Sequence, residues 1–171
     1  MKLQLLLTTF LLCSISLTVK AQDFEIPKDV TLNTAEDYKK YNQDVINGIN
    51  WLENTPINEK KTKRQNASAF LMLWMTGSPT VSIEVSSYVI PLIESNPDLL
   101  MTFLGGWTKY AIENPDDSSA FNGNLAGLKS LIEVYKKNKE TGIEKERAIE
   151  KLIKLKSDED LEKWLKKKLK N

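Results

Sequence analysis

The sequence contains no histidine, and its one cysteine, Cys13, lies in an apolar N-terminal run. Those two shortages exclude a good deal of chemistry. A chain that has lost Cys13 has no thiol nucleophile, no Ser-His-Asp triad, no imidazole proton shuttle and none of the usual zinc ligand sets. It can form no disulfide either, so core packing must hold it together. Phosphate-loop and serine-nucleophile signatures are missing as well: there is no Gly-x-x-x-x-Gly-Lys, no Gly-x-Ser-x-Gly and no Ser-x-x-Lys. Glycine is scarce, at 7 in 171 residues, yet two are adjacent at Gly105-Gly106 inside the most apolar stretch of the body.

The first residues have a clear pattern. Met1-Lys2 is a short basic start, Leu3 to Val19 carries no charge, and Val19 and Ala21 are the small residues that precede a cleavage point. This reads as a secretory signal peptide over 1–21, followed by a single helical domain over 22–171. The uncharged run falls short of the roughly 20 residues of a membrane span, so no stable span is expected after cleavage. Leu11-Leu12 are not the small residues a lipoprotein signal needs, so Cys13 leaves with the signal. The Ala21-Gln22 junction resembles signal ends of exported bacterial proteins. The expectation is an exported protein, periplasmic or secreted.

Without Lys2 and Lys20, 22 basic side chains face 23 acidic ones. They are unevenly placed. Residues 65–135 carry two lysines against seven acids, and residues 136–171 carry thirteen Lys or Arg against eight acids. A basic tail can attract nucleic acid or anionic lipid. Export argues against nucleic acid, and a solvated face on terminal helices accounts for the tail.

Periodicity points to helices. Asn33-Thr34 with Glu36-Asp37 is a capping-box pattern, and Tyr38, Tyr41, Val45, Ile46, Ile49 and Leu52 make an apolar face that ends at Thr55-Pro56. A second helix runs from Asn58 to Met75, charged at first and then almost wholly apolar, with Gly77 as its C-terminal cap. Its apolar half is expected to be buried on most sides. Thr80 to Glu94 alternates over Val81, Ile83 and Val85 and is read as extended, either paired with Phe24-Glu25-Ile26 or lying irregularly over the core. The central helix starts at Asn96-Pro97-Asp98 and ends before Pro115. Its apolar stripe is too wide for one covered side, and Gly105-Gly106 calls for close approach of another helix. Ser118 or Ser119 caps a helix to about Asn138. Two more follow, over Glu144–Lys156 and from Ser157, the last with Leu161, Trp164, Leu165 and Leu169 inward. The expected fold is all-α, a compact bundle of about six helices with room for one short extended or β pair.

Functional candidates are few. Two carboxylates suffice for glycoside hydrolysis, and Glu84, Glu94 and Glu113 border apolar stretches, although nothing in their spacing pairs them. Asp116-Asp117 is an acidic loop without the EF-hand glycine. No catalytic, cofactor or metal residue is assigned, and no cofactor is implied. Trp51, Trp74 and Trp107 are the candidate partner or ligand contacts, and Trp51, beside the apolar face of its helix, is expected to be exposed. The leading expectation is a non-enzymatic protein-interaction module of the cell envelope, with another envelope or secreted protein as partner and no nucleic acid. The alternatives are a carboxylate-dependent glycan-acting enzyme and an apolar-ligand carrier around Trp74 and Trp107. Size and helicity are similar to small exported acid-stress chaperones and immunity proteins, whose cysteine pair is missing here.

Overall fold

Two apolar clusters share one helix. That helix, α5, is the central stretch read from the sequence, and its place between the clusters explains the width of its stripe. The computed structural model describes residues 24–170, so the signal region lies outside the described residues. In chain order the helices are α1 Ala35–Lys40, α2 Asn42–Asn54, α3 Lys61–Gly77, α4 Ile90–Ile93, α5 Leu99–Glu113, α6 Ala120–Asn138, α7 Arg147–Ile153 and α8 Asp158–Lys168. A 3-10 turn, Ser87–Val89, leads into α4. Among the described residues there is no strand, and no helix is long and apolar enough to cross a membrane.

One cluster gathers the lead-in residue Phe24 with α2 and α3: Val45, Ile49, Leu52, Phe70, Leu71 and Trp74 are buried there. The other gathers α5 to α8, with Phe103, Leu128, Leu131, Tyr135, Ile149 and Leu165 fully or almost fully buried. Helix α5 gives Leu99, Phe103 and Trp107 to the second cluster, and Met101, Ala111 and Ile112 pack against the first. Leu104 touches both.

The tightest crossing is α5 against α6. A Cβ on Gly106 would stand 2.6 Å from the Ser130 Cβ and 2.8 Å from the Ala126 carbonyl oxygen. Gly105 turns the other way, towards Ile49 of α2, where an added Cβ would lie 3.2 Å from a side-chain methyl. The glycine pair therefore admits a helix on each side, and close contact offsets its cost in helix propensity.

The helix starts follow local hydrogen bonding. Thr34 and Asp37 form a reciprocal capping box at α1. Ser119 accepts from the Asn122 amide at α6, and Ser157 from the Asp160 amide at α8. In α8 the acidic first turn and the lysine-rich last turn suit the helix dipole. Thr55 is extended, and α2 stops there, before Pro56.

Several expectations need correction. The first helix breaks at Tyr41, whose φ and ψ of −91° and 1° leave the helical region, so it becomes α1 and α2. Residues 81–86 hold no regular element and pair with no strand; they form the irregular segment over the core, with Val81 buried, Ile83 packed against both clusters and Val85 exposed. Residues 87–93 are helical because Pro91 falls in the first turn of α4, where it has no amide to lose. These two changes account for eight helices in place of about six. Gly77 is the last helical residue and not a left-handed cap; it is glycine because the Tyr38 hydroxyl occupies the place of a Cβ. Asn96 does not cap α5. Its side chain instead pairs with the backbone of residue 144, donating to the carbonyl at 2.9 Å and accepting from the amide at 2.8 Å. In α8, Leu161 and Leu165 are buried, Trp164 is half-buried and Leu169 is exposed.

Candidate functional site

The three tryptophans are all interior. Trp51 is 3% exposed, which corrects the expectation of an exposed contact residue. Lys60 and Lys63 lie over its ring at 5.9 and 5.1 Å, so cations cover the face that helix spacing alone leaves open. Trp74 is fully buried; its indole N–H donates to the Tyr38 carbonyl at 3.0 Å. Trp107 is 5% exposed and stacks edge-to-face on Phe103, with its indole against Gly123. Trp74 and Trp107 belong to different clusters and do not share a pocket wall among the clefts described below.

The carboxylates do not converge as a pair from the sequence candidates. Glu84 is exposed on the extended segment, Glu94 is exposed just after α4, and Glu113 is exposed at the end of α5. Glu113 lines a groove of about 360 Å3 over the α5–α6 crossing, and neither Glu84 nor Glu94 does. Glu53 and Glu133 join it there, and no spacing in the sequence signals this, since they come from α2 and α6. Lys109, Lys129 and Lys137 interleave with these three acids, so the groove carries balanced charge. Several of its polar groups are engaged: Glu53 accepts from the Ser130 hydroxyl, Glu133 pairs with Lys136 at 3.0 Å, and Lys109 donates to Asn50 at 2.8 Å.

Asp117 is likewise engaged. It accepts from the Tyr110 hydroxyl, from the Asn122 side-chain amide at 2.8 Å and from the Ser119 backbone amide at 2.8 Å. The Tyr110 bond, with those from Asn122 and Ser119, holds the Asp117 pKa below the usual carboxylate range. The loop is thus a helix-start clasp for α6. Among the described residues no group of three or more acidic side chains could hold a metal ion.

What remains open is the outer face of α3. The buried residues Ala67, Phe70, Leu71, Trp74 and Met75 fall on one side of this helix. Ala69, Met72, Leu73 and Thr76 fall on the other at helical spacing, and all four are exposed. Met72 is 44% and Leu73 57% exposed, which corrects the expectation that this half of the helix is buried on most sides. The whole of α3 contains no acidic residue.

No known protein family, curated protein or solved structure matches this chain.

Proposed function

We propose that this is an exported, non-enzymatic helical domain that works by protein contact in the cell envelope, with the outer face of α3 as its contact surface. The observation that carries this reading is the exposure of Met72 and Leu73 side by side on a helix whose opposite face is core. Burying two such side chains against a partner removes apolar area from water at about 25 cal/mol per Å2. Leucine and methionine standing clear of the core give the protein itself little in return. The signal-type N-terminus supports an envelope or secreted partner, and the absence of thiol and imidazole chemistry supports a non-catalytic role.

The carboxylate-enzyme reading has less support. Glu84 and Glu94 lie off the groove that Glu113 lines, and the acids of that groove alternate with lysines. A carrier built around Trp74 and Trp107 is not favoured by their separate clusters.

The test is co-purification from the native cell envelope, with residues 22–171 as bait and Leu73→Lys as the comparison. One stoichiometric protein retained by the wild type and lost by Leu73→Lys is the expected result. Equal recovery by both removes α3 as the contact surface.

A further inference from the structure

Arg64 lies half-buried in the first turns of α3, on a wall shared with the start of α5, and Met72 and Leu73 lie further along the helix. Its Nη1 donates to the carbonyl oxygens of Leu52 and Thr55 at 3.1 and 2.9 Å. These carbonyls end α2, so the guanidinium closes that helix. Both bonds use one nitrogen. Among the described residues, the Nε–Nη2 edge makes no hydrogen bond and no carboxylate forms an ion pair with it. That edge is the fork that meets a carboxylate in bidentate fashion. A cation half out of water and held on carbonyls alone retains a desolvation cost that a bound anion offsets. Burial pulls the Arg64 pKa down, and the charge of Asp98 pushes it back up.

Arg64 lines a cleft of about 470 Å3 between α2, α3 and the start of α5. This volume falls within the range of about 300–1,000 Å3 of small-molecule sites. Leu52, Ile57 and Met101 give the cleft apolar walls, and Asp98 stands on its rim. The aspartate decides the ligand class. It would repel a simple anion seated on Arg64, whereas a ligand with a cation beside its carboxylate satisfies both groups.

We propose that this cleft binds an apolar α-amino acid, with its carboxylate on Arg64, its ammonium towards Asp98 and its side chain against Met101 and Ile57. The site uses the first turns of α3, and Met72 and Leu73 lie on its later turns, so it shares no residue with the proposed contact surface.

The experiment is an NMR titration of residues 22–171 with L-leucine, N-acetyl-L-leucine, L-leucinamide and inorganic phosphate, following the Arg64 Nε–H resonance. Leucine gives a saturable shift there. The other three probes, each lacking one charge or the zwitterion, bind about tenfold more weakly or worse, the scale of one charge-assisted contact. Arg64→Lys keeps the charge and loses the fork, and leucine affinity drops by a similar factor. Arg64 also closes α2, so a second variant leaves that cap in place: Asp98→Asn, at an exposed residue whose side chain makes no cap hydrogen bond, removes the partner of the ammonium and weakens leucine binding. No saturable shift with leucine overturns the proposal. So does leucinamide or phosphate binding as well as leucine, or unchanged leucine affinity in folded Asp98→Asn.

Discussion

Gly127 of α6 meets Phe103 of α5 at the helix crossing: a Cβ on Gly127 would stand 2.6 Å from the Phe103 carbonyl oxygen. The obstacle is backbone, so it cannot swing aside as a side-chain tip can. Alanine in a helix gains about 1 kcal/mol over glycine, and overpacking costs about 1–3 kcal/mol or more. Against a backbone atom the cost wins. Gly127→Ala and Gly106→Ala should each lower stability by about 2 kcal/mol, seen as a fall in Tm of about 4–8 °C at this chain length. Gly105→Ala faces only the Ile49 side chain, 3.2 Å away at its nearest, and should stay close to the wild type by the same thermal melt.

Asn96 ties the start of α5 to the segment before α7. Its side chain serves both backbone groups of residue 144 and is itself buried. Asn96→Ala leaves that donor and acceptor without the partner they have. Residue 144 is exposed, so water can take over its backbone groups, and the expected loss is about 1 kcal/mol by urea unfolding, the net worth of such a hydrogen bond. Asn96→Asp restores the shape and loses the donor, and it should not recover the wild-type value.

Acid should weaken the clasp at the start of α6. The folded pKa of Asp117 is depressed, first by the Tyr110 hydroxyl bond. A depressed carboxylate stabilises the fold above its unfolded pKa of about 3.9 and ceases to do so as pH falls through the lower folded value. Asp37, depressed mainly by Lys40 and Thr34, acts in the same direction at α1. Urea midpoints measured between pH 6 and pH 2 should fall at the acid end. Asp117→Asn should show a shallower fall than the wild type.

Alkali acts on the tyrosines with the opposite sign. Burial raises the pKa of Tyr88, and its hydroxyl donates to Asn124 inside the core at 2.7 Å. Burial also raises Tyr135, and the bond to Asp117 raises Tyr110. A raised folded pKa leaves stability intact below the unfolded value of about 10 and removes it as pH rises beyond that. Ultraviolet titration of the tyrosinate band should show a Tyr88 component that appears only as the chain unfolds. Tyr88→Phe should remove that last component.

The two sides of α3 should respond differently to substitution. Leu71 is fully buried, so Leu71→Ala should cost about 2–5 kcal/mol. Leu73→Lys, on the exposed side, should stay within about 0.5 kcal/mol of the wild type by the same melt. That contrast makes Leu73→Lys usable as a contact variant.

Features set by local chemistry were legible in the sequence. Thr34, Ser119 and Ser157 cap as their residue types suggest, and Thr55-Pro56 stops a helix because the residue before proline avoids helical geometry. Gly105-Gly106 announced a close helix approach, since nothing local repays two glycines there. Features set by distant neighbours were not legible. Trp51 is covered by lysines from the next helix, Asn96 is taken by residue 144, and Gly77 makes room for Tyr38. Pro91 falls in a first turn and so starts a helix inside the stretch 80–94, whose alternation alone suggests extended chain. The candidate site follows the same division. Met72 and Leu73 look like core by composition, and only the position of α2 and α5 on one side of α3 leaves them outside. The Arg64 edge depends on carbonyls nine and twelve residues away, which no motif records.

The most direct test of the proposed contact surface is site-specific photocrosslinking in the native cell envelope. A photoreactive residue is placed at position 73, and at exposed position 113 as the comparison. The account predicts one discrete protein adduct from position 73 and none from position 113. No adduct at position 73, or the same adducts from both positions, would contradict it.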